Sequence, residues 1–143
     1  MVRRAIPLAT AQRIRAAAHE RCGYCLSPQH LVMAPLEIEH LLPLARGGSD
    51  NESNLWLACS ICNNLKRDKT VAADPLTDEL CRLFNPRIGT WDQHFVWATD
   101  GRSIIGVTAI GRATVGLLRL DDHPIRIAVW SYWIRAGWHP PRD

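Results

Sequence analysis

Four cysteines form two pairs with the same internal spacing, Cys22-x-x-Cys25 and Cys59-x-x-Cys62. Two thiolates at this spacing grip one tetrahedral Zn²⁺ ion from a tight turn, and four thiolates fill its coordination sphere. A filled sphere leaves no position for water or substrate, so we predict a zinc ion with a structural role. The alternative, four buried or redox-active thiols without a metal, stays open.

The stretch between the two pairs is longer than the roughly 15–20 residues of a simple zinc ribbon, so it holds an insertion. Polar groups of a kind that can do chemistry lie in and just after this insertion: Glu39, His40, Asn54 and Asn63. A neutral imidazole with an ordinary pKa near 6.5 can take a proton from water at working pH. His40 is therefore a candidate general base. Alone, it would be read as a surface histidine at a strand end.

Taken in order, the acid–His pair, the Gly47-Gly48 loop, Asn54 and the Asn63 that follows Cys62 resemble the pattern of HNH nucleases. The resemblance runs from Cys22 to Lys69, about a third of the chain. It implies an α+β fold with a ββα-metal (His-Me finger) core, a four-cysteine structural zinc site and an appended C-terminal β-hairpin and helices. It also implies an endonuclease that hydrolyses phosphodiester bonds in DNA.

The resemblance assigns roles residue by residue. His40 would be the general base, Glu39 and Asn63 would ligate one divalent ion, and Asn54 would bond backbone across the loop to hold the histidine strand. Oxygen ligands completed by water suit Mg²⁺ or Mn²⁺. The commonest family form carries Asp where this chain has Glu39, and the longer side chain bears on the metal distance and preference.

Basic side chains near the module's helix and loop are candidates for binding the phosphates of nucleic acid: Arg46, Lys66, Arg67 and Lys69. At the helix end, these side chains equally suit a solvated surface that satisfies the helix dipole. A net charge of +3 permits a polyanionic partner without requiring one.

Several elements must position these groups. The pattern predicts a helix over 11–20 capped by Thr10, extended chain over 31–44, a strand over 55–58 and a helix over 61–69. Glu39 and His40 are neighbours, and neighbours on a regular strand face opposite sides, so the strand must twist or end there for both to serve one site.

The remaining chain is predicted to form a helix over 76–84 capped by Asp74, with Cys81 as a buried thiol on it. Asp100-Gly101 indicates a hairpin between strands at 94–99 and 102–107. Two helices are predicted over 108–120 and 124–136. The tryptophans Trp130, Trp133 and Trp138 are predicted to bury against the hairpin.

At 143 residues we predict a single domain, 1–143, with an HNH module at 20–70 and an extension at 75–143. The N-terminal apolar run is broken at Gln12 and Arg13, and no span reaches transmembrane length, so we expect a cytoplasmic protein without a membrane partner. Two other functions stay open: a zinc-stabilised nucleic-acid-binding module without catalysis, and an HNH nuclease acting on RNA. So does the choice between a nicking monomer and a homodimer that cuts both strands.

Overall fold

The computed structural model describes residues 5–141, in which short sheets and helices are mixed. The chain divides into two compact units, 1–68 and 69–143. The mixed helix-and-sheet class predicted from the sequence is confirmed, while the single domain over 1–143 stays a prediction. Within the described range, each helix is too short or too polar to cross a membrane.

The first unit begins with helix α1, Leu8–Ala17, three residues earlier than the predicted 11–20. The cap predicted at Thr10 is wrong, since Pro7 precedes the helix and no side chain caps it. The helix stops short of Glu20 because His19 and Glu20 both adopt positive φ angles, 54° and 55°. These two residues turn the chain towards the first cysteine pair.

Two short antiparallel strands follow, β1 over Glu37–His40 and β2 over Leu55–Ala58. The strand predicted at 55–58 is confirmed. The extended stretch predicted over 31–44 is regular only in β1, and Pro43 leads into a 3₁₀ turn at Leu44–Arg46. The first strand thus ends at His40, the position at which the sequence required a twist or an end.

Helix α2, Ser60–Lys66, directly follows β2 and is shorter than the predicted 61–69. It ends at Lys66, because the next residue, Arg67, adopts a backbone φ of 52°. The order strand, loop, strand, helix is therefore present. The unit's apolar core joins α1 to the strand pair and consists of Ile14, Ala18, Leu36, Leu55 and Leu57.

In the second unit, the helix predicted over 76–84 is wrong. The chain there forms a hairpin, β3 over Val71–Ala73 and β4 over Leu80–Arg82. The buried Asp74 carboxylate accepts bonds from the Leu76 amide and the Thr77 hydroxyl, which closes a turn where a helix would have started. Cys81 consequently lies half-buried on a strand instead of buried on a helix.

The hairpin predicted around Asp100-Gly101 is confirmed. A short helix, α3 at Trp91–His94, leads into β5, Phe95–Trp97, which pairs with β6, Ile104–Gly106. The strands are shorter than predicted. The turn is closed by the Asp100 carboxylate, which accepts a bond from the Arg102 amide at 3.0 Å.

Two helices complete the unit, α4 over Ala109–Leu118 and α5 over Pro124–Ala136, close to the predicted bounds. Trp130 and Trp133 are buried, and the Trp130 ring lies edge-on to Trp97 of the hairpin at 5.2 Å. The predicted burial of Trp138 is wrong. It is 58% exposed because it lies beyond Gly137, where α5 ends in a left-handed turn.

Candidate functional site

The first half of the site is the cysteine cluster. One ligand atom from each of Cys22, Cys25, Cys59 and Cys62 lies within 4.8 Å of the others. The first pair occupies the turn after α1, and the second pair spans the junction of β2 and α2. There the Cys59 sulfur accepts the Cys62 amide at 3.4 Å, so the sulfur also caps the helix.

The sulfur spacing fits one zinc ion. Four thiolates about 2.3 Å from a tetrahedral centre would be about 3.8 Å apart, and the Cys25 and Cys59 sulfurs are 3.7 Å apart. Burial raises the pKa of the Cys22 and Cys62 thiols well above the ordinary range. A zinc dication bound by these sulfurs would reverse the preference for the protonated thiol, because a coordinated thiol is deprotonated. The four residues predicted as zinc ligands are therefore gathered in a cluster that suits zinc.

The second half of the site is an open pocket of about 240 Å³ in the same unit. Four of the predicted site residues line it: Glu39, His40, Asn63 and Arg67. The full lining is Ile38, Glu39, His40, Pro43, Leu44, Asn63 and Arg67. The end of a strand and a helix thus contribute polar residues to one concave surface.

His40 is the last residue of β1, and its side chain is only 10% exposed. Its Nε2 atom lies 2.7 Å from the Oδ1 atom of Asp50, which belongs to the loop between β1 and β2. A carboxylate at this distance fixes the plane of the ring. Sequence reasoning missed Asp50, and an acidic residue in the Gly-Gly loop was its only available signal.

Glu39 is 2% exposed, and the Tyr24 hydroxyl donates a hydrogen bond to its Oε1 atom. Its Oε2 atom has no hydrogen-bond partner among the described residues. Burial raises the pKa of Glu39 from its usual 4.5 to about 7, although Lys66 and the Tyr24 bond act in the opposite direction. An unpartnered, buried carboxylate oxygen on a pocket wall is a fitting ligand for a hard cation.

Asn63 lies in α2, where its Nδ2 atom donates to the Oε1 atom of Glu37 at 2.7 Å. This bond commits the amide nitrogen to Glu37 and leaves the amide oxygen as the atom able to bind a cation. Sequence reasoning missed Glu37 too, although it stands two residues before Glu39 on the same strand.

Asn54 braces the loop that follows β1. Its side chain accepts the Leu42 amide at 2.8 Å and donates to the carbonyls of Leu42 and Ser49 at 2.9 and 2.8 Å. These three bonds tie the start and the end of the loop together. The backbone that carries His40 and Asp50 is thereby held from both sides.

The four predicted phosphate ligands lie in different settings. Lys66 is 3% exposed, and its ammonium donates to the carbonyls of His40 and Leu41 at 3.1 and 3.4 Å. Arg67 is exposed and lines the pocket. Arg46 forms an ion pair with Asp68 at 3.7 Å, and Lys69 is exposed at the start of the second unit.

Comparison with protein families places a match on this segment. Residues 22–69 match the family model described as HNH endonuclease. The resemblance predicted from Cys22 to Lys69 is thus confirmed, and the matched range holds both the cysteine cluster and the pocket. Neither a curated protein nor a solved structure matches the chain.

Proposed function

We propose, starting from the HNH endonuclease domain at residues 22–69, that the protein hydrolyses phosphodiester bonds in DNA with the help of a divalent cation. The observation that carries the proposal is the shared pocket. Its lining includes His40, Asn63 and Glu39, and the Oε2 atom of Glu39 has no hydrogen-bond partner among the described residues. The strand–loop–strand–helix order around it is what a ββα-metal core requires.

In this proposal His40 takes the proton from the attacking water, and the resulting hydroxide displaces the 3′ oxygen to leave a 5′-phosphate end. Asp50 holds the imidazole ring in its orientation. Asn54 keeps the loop in register with the strand and touches no substrate. His40 thus supplies the base, and Asp50 and Asn54 supply its orientation. A phosphodiester bond resists hydrolysis, so it needs a base that is held in place.

Glu39 Oε2 and the Asn63 amide oxygen would hold Mg²⁺ or Mn²⁺, since both metals prefer oxygen ligands and keep several waters. When bound, the cation offsets negative charge that develops on the phosphate and on the leaving oxygen. The buried Lys66 ammonium also lowers the electrostatic cost of the Glu39 carboxylate.

Arg67 is our first candidate for binding the substrate phosphate, because it is exposed and lines the pocket. Arg46 and Lys69 would contact phosphates farther along the strand. Lys66 has a different role in this proposal. Its buried ammonium anchors the His40–Leu41 backbone to α2, so we assign it no phosphate contact.

The test is plasmid cleavage. Purified protein is incubated with supercoiled DNA and Mg²⁺ or Mn²⁺, beside a His40→Ala variant and a matched His30→Ala control, an exposed histidine of the same unit. Loss of a general base should slow cleavage by at least about 100-fold, with zinc retained, while the control stays active. Equal activity of the two variants would contradict the proposal. A parallel incubation with single-stranded and structured RNA separates the DNA and RNA forms of the proposal.

A further inference from the structure

The tyrosine inside the first cysteine pair is fully buried, with 0% of its surface exposed. It lies in the turn over residues 22–27 that carries the first cysteine pair, which we call the zinc turn. Its hydroxyl donates a hydrogen bond to the Oε1 atom of Glu39, outside the cysteine cluster. A buried tyrosine needs a partner for its hydroxyl, but a backbone carbonyl would satisfy that need. Here the partner is the carboxylate to which the proposed function assigns the cation.

The turn that carries this tyrosine is fixed on the strand pair. The amide of Gly23 donates to the carbonyl of Leu57 in β2 at 2.8 Å. Leu57 is the cross-strand partner of Ile38, which directly precedes Glu39. Two more backbone bonds, from Leu26 to Cys22 and from Cys22 to Ser27, both at 3.0 Å, close the turn. The backbone around Tyr24 is therefore held by the bond to the sheet. The predicted zinc ligands Cys22 and Cys25 hold it on either side.

The bond to Tyr24 makes the two oxygens of the Glu39 carboxylate different. Oε1 is held by the tyrosine, and Oε2 is the buried atom without a hydrogen-bond partner among residues 5–141. A glutamate has one more rotatable bond than an aspartate, so it needs more support to present an oxygen at a fixed point. The Tyr24 hydroxyl provides that support, because it holds the Oε1 atom and leaves Oε2 for the cation.

We propose that Tyr24 is a positioning residue, which orients Glu39 towards the divalent cation and joins the zinc turn to the cation site. The inference rests on the proposed function, because it needs Glu39 to bind a cation. Partners behind a metal ligand commonly change metal affinity about 10- to 100-fold when they are replaced. The zinc turn therefore acts on cation binding through one hydroxyl group.

The experiment measures Mn²⁺ binding directly, by the electron paramagnetic resonance signal of free Mn²⁺, on zinc-loaded protein. Tyr24→Phe removes only the hydroxyl, and we expect Mn²⁺ affinity to fall about 10- to 100-fold while zinc stays at one ion per chain. The matched control is Tyr132→Phe, which alters the other tyrosine at a 69% exposed position. Glu39→Gln defines the signal of the cation site.

The outcomes separate this inference from the proposed function. If Glu39→Gln weakens Mn²⁺ binding but Tyr24→Phe, still zinc-loaded, binds like wild type, the role of Tyr24 is overturned and the cation site stands. If neither variant changes binding, the cation site is overturned as well. Loss of affinity in both, with the control unchanged, supports the role.

A second measurement covers the case in which Tyr24→Phe fails to keep zinc. In the Tyr132→Phe protein, 3-fluorotyrosine labels Tyr24 alone, because the chain has two tyrosines. We expect the ¹⁹F resonance to shift on addition of Mg²⁺ and the shift to disappear in the Glu39→Gln version of that protein. A resonance that stays unchanged at saturating Mg²⁺ would overturn the inference.

Discussion

Replacing Glu39 by glutamine should abolish a loss of stability that the wild type undergoes as the pH rises towards 8, and it should also remove cation binding. The carboxyl is 2% exposed, and burial raises its pKa from 4.5 to about 7. Between these values the native state holds a proton that the unfolded state has lost, so the stability of the wild type falls as pH rises. A shift of this size corresponds to about 3 kcal/mol once the pH exceeds the native pKa.

The side-chain amide introduced by Glu39→Gln does not titrate, so the variant does not lose this stability as the pH rises. The unpartnered amide group of the variant adds a penalty of its own, but that penalty is the same at every pH. We therefore expect the free energy of unfolding of Glu39→Gln, relative to wild type, to rise by about 2–3 kcal/mol from pH 5 to pH 8. Taking the difference cancels the pH dependence of the zinc cluster, which both proteins share.

The assay is urea unfolding at a series of pH values, followed by tryptophan fluorescence, with zinc present and other divalent ions absent. An exposed control, Glu20→Gln, tests for an effect of charge change alone. Adding Mg²⁺ at pH 8 should then stabilise the wild type, since the ion binds only the folded state, and leave Glu39→Gln unchanged. A gap between wild type and variant that is constant from pH 5 to pH 8 would refute the burial argument.

Three other predictions concern single contacts. Asp50→Asn should lower kcat for plasmid cleavage about 10- to 100-fold with little change in KM, because the ring it holds loses its orientation. Cys59→Ala should lose zinc by metal analysis and unfold the first unit, whereas Cys81→Ala should keep one zinc ion. Arg112 holds the pKa of Asp74 well below its usual range, so this pair stabilises fully above about pH 4 and less as pH falls further. In acid urea titrations Asp74→Asn should lack that decline.

Local sequence patterns predicted an element correctly where residues close in sequence determine its structure. The Asp100-Gly101 hairpin is closed by its own aspartate, and the strand at 55–58 follows its apolar residues. The segment 76–84 was predicted wrongly because distant contacts decide it. Arg112 grips the turn residue Asp74 with two bonds, and Thr114 accepts the Phe84 amide at 2.9 Å, both from a helix thirty or more residues away.

The same division applies to the candidate site. Spacing along the chain was enough to select the cysteines, and the resemblance to HNH nucleases pointed to Glu39, His40 and Asn63, which line the pocket. The side chains that orient them could not be selected, because they act across the fold. Tyr24 reaches Glu39, Glu37 reaches Asn63, and Asp50 reaches back over the loop to His40. The sequence offers no interval by which such partners can be recognised.

The backbone of Arg67 illustrates how this pocket is maintained. With φ at 52° and ψ at −124°, it lies in a region that glycine enters freely and that other residues occupy at a penalty of about 1–3 kcal/mol. Glycine would relax this bend, yet it would also remove a basic side chain from a residue that lines the pocket. The turn after α2 thus accepts a backbone penalty at a position where a basic residue lines the pocket, which keeps a positive charge at this surface.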